Sequence, residues 1–214
     1  MVCEKMLPPY RHDSPLEDKL ELRPLPGEIS WSGKIAYLDR DGVLNQWSQD
    51  YVNSPEQVFL LPGAGKSVGS LRRCGFRVCV VTNQSPIGRG YWTHQDLALI
   101  HSRLQEILLK EDSDAELDLI LYSPYAPGEG SWARKPNPGM LEAARQIIEN
   151  SSLPNLEPKP ILFGPDWVNR PSEDDSFLVG DQDTDIQAAQ SFGVPGIKCD
   201  TNEGISSVLG HILN

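Results

Sequence analysis

Residues 34 to 47 read KIAYLDRDGVLNQW. An apolar run, Ile35-Ala36-Tyr37-Leu38, stops at Asp39, and a second carboxylate, Asp41, follows just before Gly42. In an extended chain residues i and i+2 point the same way, so both carboxylates can face one pocket. One reading is a strand that ends in a turn, with Asp and Gly chosen for turn chemistry. The other makes Asp39 a carboxylate nucleophile and Asp41 a general acid and base. Two close carboxylates call for a cation. Asp181 and Asp185, in VGDQDTD, supply further hard oxygen ligands, which suit Mg2+ rather than zinc. Asp residues that open a helix also serve as caps and dipole partners, so that cluster too has an ordinary explanation. A phosphate needs donors as well. Thr82 ends an apolar run with a hydroxyl, and Asn83 and Gln84 follow it. Gly88-Arg89-Gly90 offers a cation on a flexible loop, and Arg134-Lys135 stands before Pro136-Asn137-Pro138. Lys135 is thus placed to neutralise a bound phosphate, although a solvated surface charge is the ordinary role of a lysine.

These residues come together only if the intervening chain forms a sheet. Apolar runs at Lys34–Leu38, Phe76–Val81, Leu117–Tyr122, Ser176–Val179 and Val194–Lys198 read as strands. The stretches between them read as helices: Pro62 to Cys74, Thr93 to Lys110 with Thr93 as N-cap, Pro138 to Asn150, and Asp183 to Phe192 closed by Gly193. Alternating strands and helices imply a parallel sheet covered on both faces. Ligands of such sheets bind beyond the carboxyl ends of the strands, where Asp39, Thr82 and Asp181 all fall. Residues 1–30, rich in Pro and charge, read as an extended or partly disordered arm, and 31–214 as the domain. The segment 151–175 is long for a helix-to-strand connection and reads as an insertion.

The bulk properties narrow the chemistry. The 214 residues make one ordinary domain, and 39% hydrophobic content fits a globular chain. No apolar run approaches the roughly 18 residues that span a bilayer, and the first residues lack a signal-peptide core, so a cytoplasmic location and no membrane partner are expected. The four cysteines match neither a zinc site nor a disulfide framework and are expected to be reduced. A net charge of -11 repels polyanions, which disfavours nucleic acid. A small phosphorylated substrate is compatible with that charge if the site supplies its own cations.

Taken in order, Asp39-x-Asp41-Gly42, Thr82 after a strand, Lys135 before a helix, and Gly180-Asp181 with Asp185 resemble the haloacid dehalogenase (HAD) phosphatase superfamily. LDRDGVLN, YVNSPEQVFLLPGA, VVTNQSPIGRGYW, RKPNPGML and VGDQDTDIQAA are similar to one branch of it, the D-glycero-D-manno-heptose 1,7-bisphosphate phosphatases and their histidinol-phosphatase relatives. The resemblance covers roughly residues 34 to 198. It implies an α/β fold, a HAD-like Rossmannoid three-layer sandwich with a central parallel sheet of order 3-2-1-4-5 and no large cap domain. It implies that Asp39 attacks phosphorus, that Asp41 protonates the leaving sugar oxygen and then activates water, and that Thr82 and Lys135 hold the phosphoryl group. Mg2+ would be held by Asp39, the Asp41 carbonyl and Asp181. Asn83, Gln84, Arg89 and Arg134 are the candidates for binding the rest of the substrate, expected to be a sugar bisphosphate cleaved at C7. Many members of this branch carry a Cys/His zinc loop before the motif with the lysine. Here that loop reads YSPYAPGEGSWARKP, without Cys or His, so no zinc is expected and Tyr125 and Trp132 are expected to hold its shape. The alternatives are a histidinol-phosphate phosphatase, a phosphatase of nucleic-acid ends, and a non-catalytic phosphate-binding relative. A monomer is expected, with a homodimer as the alternative.

Overall fold

Alternation within the first motif strand sets the layering. In the computed structural model, which describes residues 6–152 and 159–213, β2 (Ile35–Leu38) is buried at every position. Ile35 and Tyr37 join one hydrophobic cluster, Ala36 and Leu38 another on the opposite face. A strand buried on both faces belongs in the middle of a covered sheet. Its parallel neighbours are β3 (Arg77–Asn83) and β5 (Phe177–Gly180). Outside these lie β4 (Leu119–Ser123) beside β3 and β6 (Gly196–Lys198) beside β5. In chain order the five parallel strands therefore read 3-2-1-4-5, as the family resemblance implied.

A sixth strand was not foreseen. β1 (Tyr10–Arg11), from the N-terminal arm, pairs antiparallel with β4 and covers that edge of the sheet. The arm continues along the molecule: Arg77 donates to the Arg23 carbonyl at 2.6 Å and Arg72 to the Pro24 carbonyl at 3.1 Å.

Helices complete the sandwich. On one face α1 (Ala64–Arg73), α3 (His94–Glu111) and α6 (Ser206–Ile212) bury Val68, Leu104 and Val208 against Ala36, Leu38, Val78 and Val80. On the other, α4 (Gly139–Ser152) and α5 (Asp183–Phe192) bury Leu141, Ile147 and Ala189 against Ile35, Tyr37, Cys79 and Val81. Thr93 caps α3 in a reciprocal capping box with Asp96, and left-handed Gly193 closes α5. The chain after Asp41 and after Thr82 holds only turns, the short 3-10 segment Pro55–Gln57 and the single-turn α2 (Ser85–Gly88). Among the described residues no folded cap stands over the carboxyl edge. Of the insertion, residues 153–158 lie outside the described residues; Ile161, Phe163 and Trp167 pack against the α4/α5 face. No helix among the described residues is long and apolar enough to cross a membrane.

Far from the carboxyl edge, Asp118 ties the sheet together. Its buried carboxylate accepts the Val78 N–H at 2.8 Å and pairs with Arg72 at 2.6 Å and Arg77 at 2.7 Å. Removing its charge leaves two buried guanidiniums uncompensated. Asp118→Asn should lower unfolding stability by about 3–5 kcal/mol in urea titrations.

Candidate active site

Two strand ends, one loop and the first turn of a helix deliver the charged groups. Asp39 leaves β2 with its N–H bonded to the Val179 carbonyl at 2.9 Å, which holds it in register with β5. Asp181 leaves β5 itself, and Lys135 arrives from the loop before α4. The Lys135 ammonium is enclosed, with Asp185 at 2.6 Å, Asp39 at 2.9 Å and the Val81 carbonyl at 2.7 Å. Burial alone would lower its pKa, but Asp185 and Asp39 outweigh that and raise it. Lys135 is therefore a fixed positive charge beside the candidate nucleophile.

Two glycines permit this crowding. Gly42 takes φ +78°, and a Cβ there would stand 2.7 Å from the Asp181 carboxylate. At Gly180 a Cβ would lie 2.2 Å from the Asp185 Cβ. Carboxylate oxygens of Asp39, Asp181 and Asp185 consequently lie within 4.8 Å of one another. Burial pushes the Asp39 carboxyl up to about 7; Lys135 pulls it down, and Asp185 and Asp41 push it up further. Asp181 is raised as well, again chiefly by burial. Its Oδ1 is buried without a hydrogen-bond partner among the described residues. An all-carboxylate cluster with a free buried oxygen fits a hard divalent cation such as Mg2+. Asp185 accepts the Gln182 N–H at 3.0 Å through its other oxygen, so it both caps α5 and anchors Lys135.

Asp41 sits apart from this trio. Its carboxylate takes three contacts from Arg40, the shortest 2.7 Å, with Asn45 at 2.8 Å and Gln84 at 3.2 Å. Gln84 also donates to the Thr82 hydroxyl at 3.0 Å. Asn83 clamps Lys135 through both backbone groups, each at 3.1 Å. Both amides, candidates for substrate contact from the sequence, are thus engaged with groups of the protein: Asn83 fixes the lysine, and Gln84 joins the second carboxylate to the threonine. Arg40, Asn45 and this use of Gln84 were not anticipated. The signal available was the arginine between two aspartates, whose side chain must leave the strand on the other side.

The cleft that results has a volume of ≈ 240 Å³ and is walled by Asp39, Asp41, Thr82, Asn83, Lys135 and Asp181, with Trp47 and Tyr51 from the loop after β2. Tyr51 holds a left-handed backbone at φ +61°, unusual for a bulky residue. Arg89 lies at the rim, exposed, donating to the Tyr51 hydroxyl at 3.5 Å. Arg134 donates to the Tyr125 carbonyl at 3.0 Å, and burial, then Arg89, lowers its pKa. Neither arginine forms an ion pair among the described residues. The loop that carries Arg134 takes its shape from Trp132, whose indole donates to buried Glu142 at 2.7 Å, and from Tyr125, whose hydroxyl donates to the Pro8 carbonyl at 3.0 Å. Glu142 is matched by Arg170 at 2.5 Å.

Residues 132–207 match the family model described as HAD-hydrolase-like. The D-glycero-beta-D-manno-heptose-1,7-bisphosphate 7-phosphatase of Pseudomonas aeruginosa is 32% identical over 177 residues, 83% of this chain and 86% of that one. The D-glycero-alpha-D-manno-heptose-1,7-bisphosphate 7-phosphatase of Burkholderia mallei is 32% identical over 168 residues, 75% of this chain and 76% of that one. The crystal structure of the D,D-heptose 1,7-bisphosphate phosphatase of B. bronchiseptica, complexed with magnesium and phosphate, superposes with a TM-score of 0.65 at 28% identity, covering 83% of this chain and 86% of that one.

Crowding the carboxylates has a pH signature. The native Asp39 value of about 7 lies above the ordinary 3.8, so between these values the native state binds more protons and stability falls as pH rises. In metal-free protein, Asp39→Asn should remove that fall: its thermal midpoint should exceed wild type by a few degrees at about pH 8 and by less at about pH 5. Saturating Mg2+ should raise the wild-type midpoint at about pH 8 and that of the variant by less.

Proposed function

The chain belongs to the HAD phosphatases, and on that premise we propose that it hydrolyses a small sugar bisphosphate through an aspartyl-phosphate on Asp39. The heptose 1,7-bisphosphate cleaved at C7 by its relatives is the leading substrate. The observation that carries the reading is the Lys135 ammonium held between Asp39 and Asp185 at the floor of an open cleft.

In the first step an Asp39 oxygen bonds to phosphorus as the bond to the sugar oxygen breaks. Asp41 gives that oxygen a proton, so that the sugar leaves as an alcohol. In the second, Asp41 takes a proton from water, whose oxygen attacks phosphorus and releases phosphate and the Asp39 carboxylate. Lys135 and the Thr82 hydroxyl hold the phosphoryl oxygens through both steps. A cation held by Asp39, the Asp41 carbonyl and Asp181, for which Mg2+ is the fitting choice, would neutralise the carboxylates and the phosphoryl oxygens when bound. Asn83 and Gln84 serve by holding Lys135, Thr82 and Asp41 in place. A monomer in the cytoplasm completes the proposal.

A second reading rests on the neighbouring cleft. It shares Tyr51 with the first and adds Asp50, Tyr91, Trp92 and Asp96. Acids and aromatic faces together suit an ammonium or imidazolium group, which favours histidinol phosphate as the competitor. A phosphate-release panel with Mg2+ over heptose and hexose bisphosphates, histidinol phosphate and nucleotides separates the two. We expect the heptose bisphosphate to give the highest kcat/KM, and comparing its two anomers decides between the alpha and beta forms named for the relatives. Preference for histidinol phosphate would select the second reading, and absence of turnover on every substrate would overturn both.

The leaving group needs its own anchor. Arg134, beside Lys135 and in no ion pair among the described residues, suits a second phosphate. Arg134→Ala should raise KM for the bisphosphate about ten- to a hundredfold and KM for a monophosphate analogue far less. Equal effects on both would place Arg134 on the reacting phosphate or in the fold.

A further inference from the structure

A line of contacts runs from the N-terminal arm to Asp41. Arg40 is 1% exposed, a charge that burial makes costly unless every donor is matched. Its Nε and Nη2 are taken by Asp41; its Nη1 meets His101 Nε2 at 3.3 Å. His101, on α3, is fully buried, and burial, then Arg40 and His12, hold its pKa well below the ordinary imidazole value. A neutral ring that accepts from Arg40 at Nε2 carries its proton on Nδ1. That ring packs T-shaped against His12 of the arm, centroids 5.4 Å apart. His12 is fixed in turn by Asp13 at 3.1 Å and by the pairing of Tyr10 and Arg11 with β4. The arm also reaches the loop of Arg134, since Tyr125 donates to the Pro8 carbonyl and accepts from Arg134.

We propose that the N-terminal arm positions the general acid: His12 and His101 are positioning residues that fix the Arg40 guanidinium, and Arg40 fixes the carboxylate of Asp41. The proposal rests on the reading of Asp41 as the acid of a sugar phosphatase. His101 is the one acceptor among the described residues that meets the face of Arg40 turned away from Asp41. Without it the guanidinium turns to find another partner and the Asp41 carboxylate turns with it. The loss then falls on the proton given to the leaving oxygen, while attack by Asp39 and the grip of Lys135 and Thr82 on the phosphoryl group persist.

Leaving-group dependence reads that difference. An alkoxide from a sugar needs the proton; p-nitrophenolate leaves without it. Full-length wild type, His101→Leu, His101→Gln and His12→Ala would be assayed at saturating Mg2+ on a sugar bisphosphate, simple alkyl phosphates and p-nitrophenyl phosphate. For His101→Leu we expect kcat on the alkyl substrates to fall about ten- to a hundredfold, with less than about a threefold fall on p-nitrophenyl phosphate and little change in KM. His101→Gln, whose amide oxygen can accept from Arg40, should recover most of the loss. His12→Ala should shift the same ratio in the same direction by a smaller factor. Equal losses on both substrate classes would assign His101 to the fold and overturn the proposal, as would unchanged rates. A His12→Ala ratio equal to wild type would overturn the part played by the arm. Failure of wild type to hydrolyse any alkyl phosphate would overturn the functional reading itself, and this inference with it.

Discussion

One buried cation organises the carboxyl edge of the sheet. Lys135 is 2% exposed, and an ammonium so enclosed is tolerable only with excellent partners. It finds them in Asp39 from the central strand, in Asp185 from the helix after β5 and in the carbonyl of Val81 on β3. Those three contacts draw together three separate βα units, and Asn83, also on β3, binds the lysine's own backbone. The geometry of the reacting centre is thus a by-product of satisfying one charge. The glycines at 42 and 180 are the steric condition for it, since a side chain at 180 would push Asp185 away from the ammonium and one at 42 would push Asp181 out of the acid cluster.

The parts of the molecule governed by local rules were legible in the chain. Continuous apolar runs gave the five parallel strands within a few residues, Thr93 and Gly193 marked helix ends, and the strand order came only with the family resemblance. The trio around Lys135 followed from the rule that such sheets bind ligands beyond their carboxyl ends. What escaped was set by tertiary context. Tyr10–Arg11 is two residues long and becomes a strand only because the exposed edge of β4 offers partners. The α6 helix is short, and it forms against a face that α1 had already made apolar. Arg40 and His101 look like a surface charge and a polar interruption in an apolar stripe; only the fold turns them toward each other. Asn83 and Gln84 are candidates for the substrate because they follow Thr82, and their hydrogen bonds to Lys135, Asp41 and Thr82 are a further role that only the fold shows.

The two ends of the sheet show a division of labour. At the amino edge Asp118 gathers Arg72 and Arg77, which in turn donate to the arm's carbonyls, so acid and cations are paired there. At the carboxyl edge acids outnumber cations, burial raises Asp39 and Asp181, and a buried oxygen of Asp181 is left over. The excess of buried acid thus falls where chemistry is expected.

The loop of residues 124–134 has a consequence of a different kind. Its form depends on an indole, a carboxylate and a guanidinium: Trp132, Glu142 and Arg170. None of these groups is a thiol or an imidazole. Held by these contacts, the loop has no thiol among them for an oxidant to attack, so oxidation of a cysteine elsewhere leaves them intact.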